Sequence, residues 1–337
     1  MSANGILPDT RLTTLFDTGV IAADQPPADG QIQPASIDLR LGRQAYRLRA
    51  SFLPGRGRTV AECLDSDLKM HTVDLEKGAV LETGCVYLAP LQERLSLPAG
   101  VTAMMNPKSS TGRIDVFTRV ITDQGEVFDR APEGYDGPLY AEISPCTFSV
   151  LVHEGDRLSQ VRFRQGAHTP LRDVTVSVDL SGFEDGIVGY RARRHAGLVD
   201  LSKIGMHPAS RFWEPLYAPD RRLILDPGEF YILASREAVT IGFDEAAEMA
   251  PIATEIGEFR AHYAGFFDPG FGTDEAGGTG SRAVLEVRGH DVPFLLEHGQ
   301  AIARLVYEPM AEAPGRAYGQ VSSNYQKQGL KLSKFFI

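Results

Sequence analysis

The chain has only three cysteines, Cys63, Cys85 and Cys146, far apart and odd in number. That excludes a disulfide framework and points to reduced thiols in a cytoplasm. No apolar run approaches the length of a membrane span. The opening stretch, MSANGILPDTRL, lacks the basic start and apolar core of a signal peptide. Positive charge is also scarce: 34 Lys and Arg stand against 44 Asp and Glu, a formal net charge of −10. A protein that wraps a nucleic-acid backbone carries a basic face, so the bulk charge speaks against that role. It leaves room for a small anionic ligand, which a few local Lys and Arg can hold. Helical signals are few. Asp9 is placed to cap a segment with Leu12, Leu15 and Phe16 at helical spacing, and a short helix is expected around residues 109–114. The single tryptophan, Trp213, reads as a packing residue.

What is present is ordinary globular material: 337 residues, 43% hydrophobic and 23% charged, enough for two domains with sizeable cores. Gly (34) and Pro (21) make turns frequent. Between them lie short, roughly alternating apolar stretches: AVLETGCVYLAPL, PLYAEISPCTFSVLV, EFYILAS, RAVLEVRG and AIARLVYEPM. They are rich in Val, Ile, Leu, Tyr and Phe, which predicts strands. An all-β fold follows, with a compact barrel or sandwich in each half.

The halves are alike. Residues 81–163 overlay residues 225–307 at a constant offset of 144. Gly84 falls on Gly228, Tyr87 on Tyr231, Glu93 on Glu237, Pro107 on Pro251, Glu142 on Glu286 and Gly155 on Gly299. A fixed register over some eighty residues marks two copies of one unit. The units are drawn as 1–168 and 169–337. ASIDLRL at 35–41 echoes VSVDLSG at 176–182, which puts the joining stretch at the start of the second unit. The basic cluster Arg191, Arg193, Arg194 and His195 reads as a solvated face.

Three motifs can carry chemistry. Asn106-Pro107-Lys108-Ser109-Ser110-Thr111-Gly112-Arg113 gathers two hydroxyls, a Lys and an Arg at the expected helix start, a set suited to phosphate. A capped surface turn would use the same residues, and the Walker spacing of a P-loop is absent. His262-Tyr263-Ala264-Gly265-Phe266-Phe267-Asp268-Pro269-Gly270-Phe271-Gly272 is a hairpin with an Asp at its bend. It can seat a sugar, with the ring on Phe271 and a hydroxyl on Asp268; an ordinary hairpin with a turn Asp is the alternative. The third is a Glu inside an apolar strand, twice: Glu142 in YAEI and Glu286 in VLEV. Facing inward, such a carboxylate is costly unless used, and burial raises its pKa towards that of a general base. Facing water, it needs no explanation.

These motifs in this order, with QPASIDLRLG at 33–42, resemble the dCTP deaminase family of the dUTPase superfamily, in its two-copy bacterial form. The resemblance covers nearly the whole chain. PKSSTGR is similar to the family's phosphate-binding loop and gives Lys108, Ser109, Ser110 and Arg113; AGFFDPGFG is similar to its deoxyribose hairpin and gives Ala264, Asp268 and Phe271. VLE at 284–286 resembles the segment with the catalytic Glu. The stretch from Tyr318 through Tyr325 and Gln328 resembles its closing tail, with Asn324 where the family has a Lys. The resemblance implies a distorted jelly-roll β-barrel, trimeric assembly (here of two-barrel chains) and active sites between neighbouring barrels. It implies deamination without zinc, and the His-x-Glu and Pro-Cys-x-x-Cys pattern of zinc nucleobase deaminases is absent. A Glu would activate water against C4 of the cytosine and pass the proton to the leaving ammonia. Ser109 and a carbonyl near Ala264 would position the water. Lys108, Ser110 and Arg113, with Mg²⁺ carried on the triphosphate, would hold the anionic end.

The copies have diverged unevenly. At the offset of 144, Lys108, Ser109 and Arg113 become Ile252, Ala253 and Gly257. Conversely, the first copy reads Ala131-Pro132-Glu133-Gly134-Tyr135-Asp136-Gly137 where the second has Asp-Pro-Gly-Phe-Gly. Each copy keeps what the other has lost. This predicts one composite site per chain: the loop from copy one, with the hairpin, Glu286 and the tail from copy two, Glu142 being the alternative base. A dUTPase is the nearest rival, although SSNYQKQGLKLSKFFI is not a Gly-rich closing tail. A bifunctional enzyme and a catalytically silent nucleotide-binding protein are the other readings.

Overall fold

A computed structural model of the chain describes residues 4–250, 265–278, 280–320 and 325–337, together with the backbone of Phe259–His262. Strand accounts for 44% of it and helix for 9%, so sheets carry the fold, as the alternating apolar runs require. The strand pairings recur at the offset found in the sequence, residue for residue. In the first half Val86–Ser96 pairs with Asp136–Pro145, with Leu88 opposite Glu142. In the second half Phe230–Val239 pairs with Ser281–Gly289, with Ile232 opposite Glu286. Met105 lies opposite Val161, and Met249 opposite Leu305. Val150 lies opposite Leu81, and Phe294 opposite Leu225.

Local chemistry repeats as well. The Tyr87 hydroxyl accepts the Glu82 N–H at 3.2 Å, and the Tyr231 hydroxyl accepts the Asp226 N–H at 2.8 Å. Gly84 and Gly228 open the turns before these strands at φ +73° and +70°, which is why both copies retain glycine there. Each half has its own apolar core. One is built on residues such as Leu39, Leu95, Val120, Val161 and Phe163, the other on Val178, Leu233, Leu285, Ala303 and Leu305.

The joining stretch belongs to both halves. Arg172–Ser177 pairs with Ala301–Pro309 of the second half, whereas Leu198–Asp200 pairs in parallel with Ser149–Val152 of the first. Trp213 is buried as expected, edge-on to Phe148 at 5.4 Å and to Phe336 at 5.7 Å. Arg191 pairs with Glu214 and Asp226, and Arg194 with Glu229, on a largely exposed face. Cys63, Cys85 and Cys146 are free thiols.

Two local expectations need correction. Asp9 does not cap its helix: Pro8 is the cap residue of Asp9–Asp17, with extended backbone. Asp9 is buried in the first turn, where its carboxylate accepts the Gly315 N–H at 2.7 Å and Arg316 Nε at 3.2 Å. The echo between 35–41 and 176–182 is four residues out of register with the backbone. Leu41 exchanges hydrogen bonds with Asp156 and Gly155, and Val178 does so with Gln300 and Gly299. Arg40 N–H donates to Glu93 and Ser177 N–H to Glu237. Buried contacts set this equivalence, and they tolerate Arg against Ser; the similar letters do not decide it.

Candidate active site

Strand Val101–Pro107 delivers the phosphate-type loop. Its chain turns through Lys108 into the short helix Ser109–Gly112, closed by Thr111 and Gly112 N–H groups on the Lys108 carbonyl. The hairpin of the second half docks directly on this loop. Gly265 N–H donates to Asn106 Oδ1 at 3.2 Å, and at φ +98° a Cβ on Gly265 would overlap the Ser109 hydroxyl. Only glycine lets the hairpin approach this closely. Ala264, Ser109's expected partner, lies outside the described residues.

Asp268 directly follows the strand Phe266–Phe267, which pairs with Glu248 and Ala247. Its buried carboxylate receives Arg162 Nη2 at 2.9 Å. Arg162 also donates to the Ala35, Ala247 and Phe267 carbonyls and lies 4.1 Å over the Phe266 ring. Burial raises the Asp268 carboxyl above its ordinary range, and the Arg162 cation opposes that shift. Phe271 is not on the cleft wall. It packs in the second core, edge-on to Phe267 at 5.2 Å and behind Tyr318 at 5.5 Å. The rings that line the cleft are Phe266, Tyr318 and Tyr325.

The loop and the hairpin enclose a cleft of about 490 Å³, also lined by Lys108, Ser109, Ser110 and Asp268. Lys108 Nζ is ion-paired to Asp38 Oδ2, and Arg157 Nη1 stands 3.7 Å from the same oxygen. Arg113, expected beside phosphate, is not part of this wall. Its buried guanidinium donates to Gln328 Oε1 and to the Lys331 carbonyl, both at 3.0 Å, and stacks 3.9 Å from the Tyr325 ring. The tail therefore takes up Arg113 from one side. Glu286 is charge-coupled to it from another.

Glu286 is 2% exposed, and its Oε2 has no hydrogen-bond partner among the described residues. Burial pushes its carboxyl well above the usual range; Arg113 pulls it down and Asp115 pushes it up further. Both strand Glu residues thus face inward, and the water-facing alternative does not hold. Glu142 is 1% exposed but engaged: Arg119 donates to Oε1 through Nη2 at 2.6 Å and Nε at 3.2 Å. The Arg119 cation is itself clamped, 3.6 Å from Phe128 and 4.8 Å from Phe117. Arg119 lies opposite Glu142 on the next strand; the residue opposite Glu286 is His262.

A larger cavity, about 890 Å³, opens on the first half's hairpin beside Pro132, Tyr135, Arg164 and His168. There Arg130 and Ala131 pair with Met104 and Ala103, as Phe266 and Phe267 pair with Glu248 and Ala247. Pro132 therefore takes the place of Asp268. The cavity has neither the hairpin carboxylate nor the Lys-Ser-Ser loop, so its size does not make it the reacting centre. The second half's counterpart of that loop, including Ile252, Ala253 and Gly257, falls outside the described residues.

Sequence reading missed Arg162, Arg157 and Arg119. Arg157 and Arg162 stand in GDRLSQVRF, a polar-rich stretch that signals an inward charge only once its strand is paired. Arg119 was recoverable by laying FTRV against YAEI as antiparallel neighbours.

The chain matches family descriptions over nearly its whole length. Residues 3–167 match the N-terminal domain of 2'-deoxycytidine 5'-triphosphate deaminase, and residues 152–336 match the C-terminal domain. The crystal structure of 2'-deoxycytidine 5'-triphosphate deaminase from Agrobacterium tumefaciens is 53% identical, with a TM-score of 0.88 over 91% of this chain and 99% of that one. A dCTP deaminase of Natronomonas pharaonis is 30% identical over 168 residues, 48% of this chain and 80% of the relative. A dUMP-forming dCTP deaminase of Methanosphaera stadtmanae is 29% identical over 159 residues, 47% of this chain and 78% of the relative. The chain belongs to the 2'-deoxycytidine 5'-triphosphate deaminase family.

Proposed function

We propose that this enzyme, a dCTP deaminase by family, converts dCTP and water to dUTP and ammonia at one composite site in each chain. The first half contributes the Lys108–Arg113 loop, and the second half contributes Glu286, the hairpin and the tail. Glu286 takes a proton from water as its oxygen bonds to C4 of the cytosine. That proton passes to N3, the remaining hydroxyl proton is carried to the exocyclic nitrogen, the C4=O bond forms as the C4–N bond breaks, and ammonia leaves. A buried carboxyl with a raised pKa suits both directions of that transfer, and Arg113 opposes the rise. Ser109, against the backbone of Gly265, is placed to orient the water, together with the carbonyl of Ala264.

Asp268, held by Arg162, accepts the deoxyribose hydroxyl; Phe266 and Tyr318 flank the sugar, with Phe271 supporting Tyr318 from behind. Lys108 and Ser110 hold phosphate. Tyr325 and Gln328 act through Arg113 as positioning residues. Mg²⁺ arrives on the triphosphate, with phosphate oxygens and water as its ligands, since the cleft carboxylates Asp38 and Asp268 are engaged by Lys108, Arg157 and Arg162.

The observation that carries this reading is the contrast in ion pairing: Oε2 is unpartnered in both Glu residues, but Glu142 Oε1 is ion-paired to Arg119, whereas Glu286 has no ion pair among the described residues. The same reading takes the chain as two dUTPase-like distorted jelly-roll barrels, 1–168 and 169–337, working in the cytoplasm. Assembly as a trimer of two-barrel chains belongs to it too, though both halves of the site come from one chain. Among the described residues no helix is long and apolar enough to cross a membrane.

The test is a product assay with dCTP and Mg²⁺ and with zinc removed. dUTP and ammonia in equal amounts are expected; absence of both refutes the reading. A second reading, in which the site also hydrolyses dUTP to dUMP and diphosphate, is favoured by the relatives named as dUMP-forming. dUMP and diphosphate appearing with the ammonia would establish it.

A further inference from the structure

Of the four cations that line the cleft, one is set apart by its surroundings. Lys334 lines the cleft beside Lys108, Arg157 and Arg316. Its neighbours have counter-ions. Lys108 and Arg157 share Asp38, and Arg316 Nε stands 3.2 Å from Asp9 Oδ2. Lys334 has no carboxylate within ion-pair distance among the described residues, although it is only partly exposed. Burial lowers its pKa and Lys108 and Arg157 lower it further, with Asp38 and Asp156 in opposition. A half-buried ammonium pressed against two like charges is unfavourable until an anion joins them.

The backbone around Lys334 is pinned. Ser333 Oγ donates to the Ser110 carbonyl of the phosphate loop at 2.8 Å. Gly205 N–H donates to the Lys334 carbonyl at 2.9 Å, and His207 N–H to the Phe335 carbonyl at 3.0 Å. Ile337 N–H donates to the His207 carbonyl at 3.0 Å, and Ala209 N–H to the Ile337 carbonyl at 2.9 Å. Phe335 is buried, and Phe336 packs against Phe212 at 5.3 Å and Trp213 at 5.7 Å. Residues 333–337 thus continue the closing tail into a fixed clamp, sewn to the loop on one side and to residues 205–213 on the other.

We propose that Lys334 is a further substrate-holding residue, binding the polyphosphate of the nucleotide from a position fixed by the Phe335–Phe336 anchor. The proposal rests on the functional reading above for the identity of the nucleotide, but not for the polyphosphate.

The test compares the full-length wild type with Lys334→Gln, Lys334→Arg and Phe336→Ala. Two readouts are needed: KM and kcat for dCTP, and the Kd of inorganic tripolyphosphate by calorimetry. Loss of one charge-assisted hydrogen bond predicts an increase of about tenfold in both KM and Kd for Lys334→Gln, with kcat within about twofold. Lys334→Arg retains most of the affinity. Phe336→Ala weakens both ligands in the same direction and also lowers the melting temperature. Unchanged KM and unchanged tripolyphosphate affinity in Lys334→Gln would overturn the proposal. If the wild type leaves dCTP intact while Lys334→Gln still weakens tripolyphosphate, the clamp stands and the functional reading falls.

Discussion

Glu142 and Glu286 occupy the same place in two matching sheets, face the same way and are equally buried, yet only Glu142 is ion-paired among the described residues. A buried carboxylate has two ways to persist: it finds a cation, or the protein bears the cost for use. In the first half Arg119 rises from the neighbouring strand, held between Phe117 and Phe128, and fixes Glu142 as a structural ion pair. In the second half the cation that acts on Glu286 is Arg113, which comes from the other half and is shared with the tail. Under the proposed assignment of catalysis to Glu286, the first copy was retired without loss of its acid. One well-placed Arg suffices, and the pair it forms then contributes to stability.

The contrast is tested most strongly by activity. Glu286→Gln is expected to lower kcat by about 10³-fold or more, and Glu142→Gln to leave it within about twofold. The reverse pattern in a steady-state assay would move catalysis to the first half. The next effect is on the pH profile. Arg113→Met removes the cation that lowers the Glu286 pKa, so the acidic limb of kcat/KM moves to higher pH, with at least about a tenfold loss at neutral pH. A limb that stays in place would remove Arg113 from the proton-transfer step.

The smallest effect is on stability, and it should have opposite signs at the two positions. Burial lifts the Glu286 carboxyl, so the folded chain holds that proton more tightly than the unfolded chain does. The stability this brings is complete below the ordinary Glu value and is lost as pH rises through the folded-state value. Glu286→Gln escapes the loss. It should melt above the wild type at about pH 8 and converge with it near pH ~4. Glu142→Gln leaves Arg119 without its anion, at a cost of about 1–3 kcal/mol and a melting point lower by several degrees. Thermal scans across pH decide it, and equal shifts at the two positions would erase the distinction.

Much of this was legible in the sequence. The offset of 144 gives the register of three strand pairings, because side chains in a shared core cannot slip by one residue without changing face. The loop and the hairpin are legible because backbone turns and phosphate contacts demand particular residues. The rest depends on what meets across space. Arg113 reads as a phosphate ligand until Gln328 and Tyr325 fold onto it. The 144 offset also fails at the hairpin, where Ala131 takes the place of Phe267 and the spacing is eight residues shorter. Loop length there is unconstrained by the core, so letter-by-letter alignment misplaces Asp268. Phe271 looked like a sugar platform because aromatic residues in a hairpin serve cores and ligands alike.

The contact between Gly265 and Ser109 joins residues 156 positions apart in one polypeptide. A centre shared between separate subunits comes apart as the protein is diluted, and its output then falls faster than its concentration. Here the tether keeps each half at a high effective concentration for the other, whatever the amount of protein in solution. Specific activity should therefore hold constant down to the most dilute assay. A cell with few copies of the enzyme would retain full output from each one.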